Sequence, residues 1–296
     1  MTLPGAQRTL ELLLQARAEV GEGPVWDVGR GVLWWVDITA GIVHRYEPRR
    51  AVDTPFPVGS AVGAVALRAD GSLLLALADR LAVMSADDGQ VSDLLGLPAS
   101  DPSIRCNDGK CDPAGRFWVG RMAFDGSAGR GSLLRVDGDL TITGRFSGLA
   151  IPNGLGWSLD GERMYFLDSM WREIREFEYD VASGAMGDGR SLASFPDDRS
   201  VPDGMTVDSE GYLWVAKWGG GCVMRLAPDG EVVGRLSLPV SQVTSCTFGG
   251  DDLGDLYITS ATEDFGPADF AREPLAGGLF RCRPGVRGLP PVPFGG

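Results

Sequence analysis

The sequence contains few of the residues from which common catalytic and scaffold motifs are built. Its 296 residues include one histidine, His44, and five cysteines without a CxxC pair. A Ser-His-Asp triad needs a histidine in the site, and zinc knuckles and disulfide frameworks need paired cysteines. The GxSxG, P-loop and GxGxxG–helix signatures are also absent from the sequence. The scattered cysteines favour free thiols in a reducing compartment.

Positive charge and long apolar runs are scarce as well. With 40 acidic and 27 basic residues the net charge is −13, and no stretch concentrates basic residues, so nucleic acids and anionic membranes are poor partners. No window approaches the roughly 18 apolar residues of a membrane span. The opening stretch MTLPGAQRTLELLLQARAEVGEG lacks a basic n-region and has only a short apolar run. We therefore expect a structural segment of a cytoplasmic protein, not a signal peptide.

What the sequence has in abundance is turn residues and a repeated apolar pattern. The 43 glycines and 19 prolines, with 44% apolar residues, are typical of a globular chain with many short strands. A strand core of large apolar residues recurs at steps of 40, 44, 47, 49 and 43 residues, and four copies follow a glycine turn. The copies begin at Leu33, Leu73, Phe117, Met164, Leu213 and Leu256.

A period of 40–50 residues is typical of a β-propeller blade of four strands. A helical solenoid shares this period, but these units are rich in β-branched and aromatic residues and carry no persistent 3.6-residue stripe. The sequence therefore predicts one all-β domain, residues 1–296, folded as a six-bladed β-propeller. Residues 10–20 and 277–285 would supply strands from both termini to one closing blade, which removes the open edge. A short helix over Leu10–Gln15 is the alternative for the first segment.

Polar residues occupy matched positions ahead of these strand cores. Glu22, Asn107, Asn153 and Asp203 each lie 10 or 11 residues before a core, while Gly63 and Ser245 hold the remaining two positions. Because the first strand of every blade lines the central channel, equivalent positions converge on one axis. For any single position, capping of a turn is the alternative. Turn capping also explains the aspartates a few residues further on, which are Asp27, Asp112, Asp160 and Asp208.

Two carboxylates at one axis would repel each other unless a cation lay between them. The available ligands are all oxygens, which suit Ca²⁺, Mg²⁺ or Mn²⁺, whereas Zn²⁺ would lack its preferred nitrogen and sulfur ligands. The register predicts a metal-binding channel. It also keeps His44 out of that channel and makes it a surface or packing residue.

Six motifs together resemble the SMP-30/gluconolactonase/regucalcin family over almost the whole chain: GEGPVWD, RCNDGKCDPAGRFWVG, IPNGLGWSLDG, VPDGMTVDSEGYLWVA, TSCTFGG and PLAGGLF. The resemblance implies a six-bladed propeller that hydrolyses lactones of sugar acids with one divalent cation, Ca²⁺ first among the candidates. It assigns the metal ligands to Glu22, Asn153 and Asp203 and the substrate contacts to Arg105 and Asn107. Where animal members carry a glutamate that binds substrate, this chain has Asp125, which has a shorter reach.

For lactone hydrolysis we expect Asp203 to act as general base with the oxygen that the cation does not use. Arg105, Asn107 and Asp125 would hold the hydroxyls of the sugar lactone. Two other functions stay open. One is a calcium-binding or regulatory propeller without turnover. The other is a promiscuous lactonase or arylesterase, which the apolar Phe124 beside Asp125 favours.

Overall fold

The computed structural model describes residues 9–98, 101–196 and 200–296, and within them the chain forms six antiparallel sheets of four strands. Each sheet is one blade of a β-propeller. Regular helix in these ranges is confined to α1 (Pro267–Arg272) and one 3₁₀ turn (Ser169–Trp171). The predicted six-bladed propeller is therefore confirmed. The part of the N-terminal segment that comprises residues 1–8 lies outside the described residues.

Blades 1 to 5 each use four strands that are consecutive in the sequence. Blade 1 consists of β2 (Gly21–Asp27), β3 (Val32–Asp37), β4 (Ile42–Glu47) and β5 (Val52–Pro57). Blade 2 consists of β6 (Val62–Leu67), β7 (Leu73–Leu77), β8 (Arg80–Met84) and β9 (Val91–Gly96). Blade 3 consists of β10 (Ile104–Cys111), β11 (Phe117–Ala123), β12 (Gly131–Val136) and β13 (Ile142–Leu149).

The remaining blades complete the ring. Blade 4 consists of β14 (Pro152–Trp157), β15 (Arg163–Asp168), β16 (Glu173–Asp180) and β17 (Ala185–Ser194). Blade 5 consists of β18 (Val201–Val207), β19 (Leu213–Trp218), β20 (Cys222–Leu226) and β21 (Val232–Ser237). Blade 6 consists of β22 (Val243–Gly249), β23 (Asp255–Ser260), β24 (Leu279–Cys282) and β1 (Glu11–Leu14).

Both termini build blade 6, in the order β1-β24-β23-β22. β1 pairs antiparallel with β24, Glu11 opposite Arg281, and an ion pair of 2.6 Å joins these two side chains. The N-terminal segment is thus a strand, as predicted, and the helical alternative is wrong. The first strand of each blade contacts the first strand of the next, and β22 contacts β2, so the ring is closed.

The core lies between neighbouring blades and is built from the repeated strand cores. These occupy the second strand of every blade, and Trp34, Trp118 and Trp214 among them are fully buried. The four aspartates predicted as turn caps accept backbone N–H groups in their turns, namely Asp27, Asp112, Asp160 and Asp208. Asp112 and Asp208 in addition accept the indole N–H of Trp118 and Trp214, at 3.2 Å and 2.9 Å.

His44 lies in blade 1, away from the channel. Its ring stacks on Trp35 with 3.9 Å between centroids, and its Nδ1 lies 2.7 Å from Asp53 Oδ2. It is a packing residue, as the register predicted. All five cysteines are free and buried. No helix in the described part of the chain has the length and apolarity needed to cross a bilayer.

The C-terminal segment after β24 crosses one end of the channel. It forms bridges at Asp208 with Gly288 and at Arg68 with Phe294. The Arg68 guanidinium also donates to the carbonyl oxygen of Gly296, at 2.8 Å from Nη2. Phe294 is fully buried. The tail therefore acts as a strap that closes this end of the ring, a feature that the repeat pattern did not predict.

Candidate active site

Every strand that lines the channel is irregular where the sequence register placed the inward-facing residue. The pairing of β2 with β3 shifts between Glu22 and Val25, and that of β18 with β19 shifts between Pro202 and Met205. A bulge bends the strand and redirects its side chains. Each of the six aligned positions lies within or at the edge of such a shift, namely Glu22, Gly63, Asn107, Asn153, Asp203 and Ser245.

Glycine after the aligned residue lets the inner strands approach one another closely. A Cβ atom on Gly154 would lie 2.7 Å from the backbone oxygen of Asp203. One on Gly204 would lie 2.1 Å from Ser245 Oγ. Both distances are too short for real contacts, so these positions require glycine. The repeated Gly in the motifs is thus a packing requirement of the ring that gathers the polar residues.

The polar positions share one cavity of about 510 Å³. It lies at the end of the channel where the inner strands begin, and we call it the polar cavity. The structure brings all six predicted site residues to its wall, namely Glu22, Arg105, Asn107, Asp125, Asn153 and Asp203. Five of them are buried, at 5–6% exposure, and Asp125 is exposed.

Two of the carboxylates that line the polar cavity, those of Glu22 and Asp203, are buried. Burial, and then the charge of Asp108, raises the pKa of Glu22 to about 8. Burial, and then the charges of Glu22 and Asp108, raises the pKa of Asp203 well above its usual range. The Glu22 carboxylate is anchored by the N–H of Gly23, at 2.7 Å from Oε2. Burial is the larger cause of both shifts, and a cation beside the two carboxylates would offset the cost of burial as well as the repulsion.

A chain of hydrogen bonds orients the amides. Arg105 Nη1 donates to Asn107 Oδ1 at 2.6 Å, so Asn107 Nδ2 faces Asn153 and donates to its Oδ1 at 3.0 Å. Asn153 Nδ2 donates in turn to Ser169 Oγ at 3.0 Å, and Ser169 donates to the backbone oxygen of Pro202 at 2.8 Å. No sequence signal indicated Ser169, because it begins the 3₁₀ turn and lies outside the aligned positions.

The donors fit a hard divalent cation. Asp203 Oδ1 is buried without a hydrogen-bond partner, and a buried carboxylate oxygen in that condition needs a cation or a proton. Glu22 and Asp203 supply carboxylate oxygens and Asn153 an amide oxygen, the ligand types of Ca²⁺ and Mg²⁺. No histidine or cysteine lines the polar cavity. Among the described residues, no three or more His, Cys, Asp or Glu side chains form a metal-binding cluster. The amide oxygen of Asn153 is therefore needed as the third metal ligand.

The rim of the polar cavity carries further residues. Asp125 is exposed, and its Oδ1 accepts from the N–H and hydroxyl of Ser127, at 3.0 and 2.6 Å. Phe124 is 46% exposed, with its ring centroid 6.0 Å from Arg105 Cζ. Glu263 lies in the cavity wall as well. The sequence pattern did not indicate it, because it follows β23 in a loop outside the repeat.

A second cavity, of about 270 Å³, lies at the other end of the channel, where the inner strands end. We call it the apolar cavity. Its wall includes Leu289–Val292 of the C-terminal strap and none of the predicted site residues. Its charged groups are Asp108 and Lys110, and Lys110 Nζ donates to the backbone oxygen of Met205 at 2.6 Å.

The sequence is similar to known proteins over most of its length. A sequence model of the SMP-30/Gluconolactonase/LRE-like region matches residues 20–262. Regucalcin of Gallus gallus is 37% identical over 294 residues, covering 97% of this chain and 98% of that protein. Pentonolactonase XacC of Haloferax volcanii is 39% identical over 287 residues, covering 95% and 97%.

The fold agrees with solved structures as well. A calcium-binding protein, regucalcin, from Agrobacterium tumefaciens superposes with a TM-score of 0.93 at 28% identity, covering 99% of this chain and 98% of that one. The family model matches most of the chain, and the relatives are similar to it over nearly their whole length. This chain belongs to the SMP-30/Gluconolactonase/LRE-like family.

Proposed function

We propose that this protein is a metal-dependent hydrolase that opens sugar lactones, such as gluconolactone, to the aldonic acid. The observation that carries the proposal is the polar cavity, in which two buried carboxylates, two oriented amides and a guanidinium converge. The relative from Haloferax volcanii is named a pentonolactonase, which supports lactones as the substrate class. The five free, buried thiols support a reducing compartment such as the cytoplasm.

Glu22, Asn153 and Asp203 would hold the cation, for which Ca²⁺ is the best fit and Mg²⁺, Mn²⁺ and Zn²⁺ are alternatives. When bound, such an ion supplies Lewis acidity that stabilises charge on the lactone carbonyl. Asp203 would take a proton from the attacking water with the oxygen that the cation does not use. As the ring C–O bond breaks, Asp203 returns the proton to the departing ring oxygen.

The residues beside the metal ligands would orient the substrate. Asn107 is fixed by Arg105 on one side and Asn153 on the other. Arg105 lines the polar cavity, so its guanidinium would donate to a substrate oxygen. Asp125 would accept from a sugar hydroxyl at the rim. These groups hold the lactone with its carbonyl toward the carboxylates, the positioning that hydrolysis requires.

The test is removal and return of the metal. We expect dialysis against a strong chelator to reduce gluconolactone hydrolysis to the uncatalysed rate, and one added divalent ion to restore it. Proton release at constant pH measures the rate, and elemental analysis verifies the metal content. An unchanged rate in protein shown to be free of metal would overturn the metal's role.

Two other functions have a specific observation in their favour. The structural relative from Agrobacterium tumefaciens is described as a calcium-binding protein, and the same ligands would bind an ion without turnover. The exposed Phe124 ring at the rim favours apolar esters as substrates. Assays with glucono-, xylono- and arabinonolactone beside phenyl acetate separate the three, because only the proposed enzyme prefers the sugar lactones.

A further inference from the structure

The loop that follows β23 brings a further carboxylate, that of Glu263, to the polar cavity. The chain leaves β23 at Ser260 and turns through residues 261–265 before α1 begins. Glu263, at the centre of this turn, is half-buried and lines the cavity together with Arg105. It lies outside the sequence repeat, and none of the functional roles discussed above involves it.

The turn is held firmly on the scaffold. Thr262 N–H donates to the backbone oxygen of Glu19 at 3.0 Å, and its hydroxyl donates to that of Ala18 at 3.0 Å. Gln242 Nε2 donates to the backbone oxygen of Glu263 at 2.9 Å. Asp264 has a φ of 60°, a left-handed conformation that a non-glycine residue adopts only where its surroundings impose it. The backbone of Glu263 is therefore fixed.

The side chain of Glu263, in contrast, has no partner of its own. Among the described residues, its carboxylate makes no hydrogen bond and no ion pair within 4 Å. Of the charges around Arg105, that of Glu263 has the largest effect on the Arg105 pKa, which it raises while burial lowers it. Glu263 and Arg105 thus line the same cavity without contacting each other. A carboxylate that has a fixed backbone, makes no hydrogen bond or ion pair with another described side chain and lines the same cavity as a buried guanidinium suits a ligand group that both donates and accepts.

We propose that Glu263 is a substrate-binding residue that, with Arg105, recognises a hydroxyl group of the lactone. A hydroxyl accepts from a guanidinium N–H and donates to a carboxylate, so it can satisfy both groups at once. This inference rests on the proposed function and deepens it, because it makes polyhydroxylated lactones the preferred substrates. An unsubstituted lactone leaves Glu263 without a partner in the complex and adds none to Arg105 beyond its contact with Asn107.

The experiment compares two lactones in three proteins. Wild type, Glu263→Gln and the control Glu19→Gln are assayed with glucono-1,5-lactone and with δ-valerolactone, which has no hydroxyl group. Glu19 is an exposed carboxylate close to Glu263 that does not line the polar cavity. Thermal unfolding and bound metal are measured for each protein, so that a variant with altered folding or metal content is recognised.

We expect Glu263→Gln to raise KM for gluconolactone about fivefold to tenfold, because the neutral amide oxygen accepts a weaker hydrogen bond from the hydroxyl than the carboxylate does. Its kcat, its kinetics with valerolactone and its bound metal should stay within about twofold of wild type, as should every parameter of Glu19→Gln. An unchanged KM for gluconolactone, or equal losses with both lactones, would overturn the inference. A wild-type protein that hydrolyses neither lactone overturns the proposed function itself, and this first measurement distinguishes the two failures.

Discussion

The two ends of the channel are built from the same six strands but differ in almost every physical property. At the end where the strands begin, the polar cavity gathers Glu22, Asn153 and Asp203. At the end where they finish, the smaller apolar cavity is covered by the C-terminal strap, including Leu289 and its neighbours. The first end carries buried carboxylates that are costly without a ligand. The second end carries the charged groups Asp108 and Lys110, and its strap adds hydrogen bonds and apolar contacts that close the ring.

This difference shows how one fold separates function from stability. Burying two repelling carboxylates at one mouth destabilises the ring, because a buried charge without a partner is costly. The strap at the other mouth adds buried apolar surface and backbone hydrogen bonds, such as that from Phe294 N–H to Leu67 at 2.7 Å. Changes at the first end should therefore affect catalysis, and changes at the second should affect stability.

The largest effect is expected from Asp203→Ala. Loss of a metal ligand and general base should lower kcat for gluconolactone by a factor of about 10² to 10⁴ and remove bound metal. With both proteins free of metal, the thermal unfolding midpoint should not fall, because the substitution removes a buried carboxylate that repels Glu22. Asp160→Asn is the matched control, since Asp160 is an exposed turn cap. A fully active Asp203→Ala variant would remove this residue from the mechanism.

An opposite pattern is expected from Phe294→Ala in the strap. Phe294 is fully buried, and truncation of a buried phenylalanine costs about 3–5 kcal/mol of unfolding free energy. Urea unfolding measures the loss, with Val292→Ala, at an exposed residue of the strap, as the milder control. Below its transition the variant should keep the wild-type kcat. If kcat fell along with stability, the two ends would not be separable.

The smallest effect is expected from Asp125→Asn at the rim of the polar cavity. One oxygen of this exposed carboxylate is already used by Ser127, and water competes for the other. We expect KM for gluconolactone to rise by no more than about threefold, less than for Glu263→Gln. Initial-rate kinetics of both variants make the comparison. A larger rise for Asp125→Asn would make the exposed rim the main determinant of sugar binding.

The sequence predicted much of this because the repeat imposes one register on every blade. Glu22, Asn153 and Asp203 occupy equivalent positions on inner strands, so counting from the strand cores was enough to place them in one cavity. Ser169 and Glu263 lie in connections between strands, and the length and path of these connections differ between blades. Counting residues from a strand core therefore does not predict where these two residues lie. The repeat pattern does not predict the C-terminal strap either, because Phe294 packs against blades from which it is distant in sequence.

The central claim is that Glu22, Asn153 and Asp203 together bind one divalent ion. The most direct measurement is a crystal structure of the protein grown with Ca²⁺, with the ion identified by its anomalous scattering. We predict one ion in the polar cavity, with an oxygen of each of the three side chains about 2.3–2.6 Å away. An ion bound elsewhere, or coordination that leaves out any of these side chains, would contradict the account.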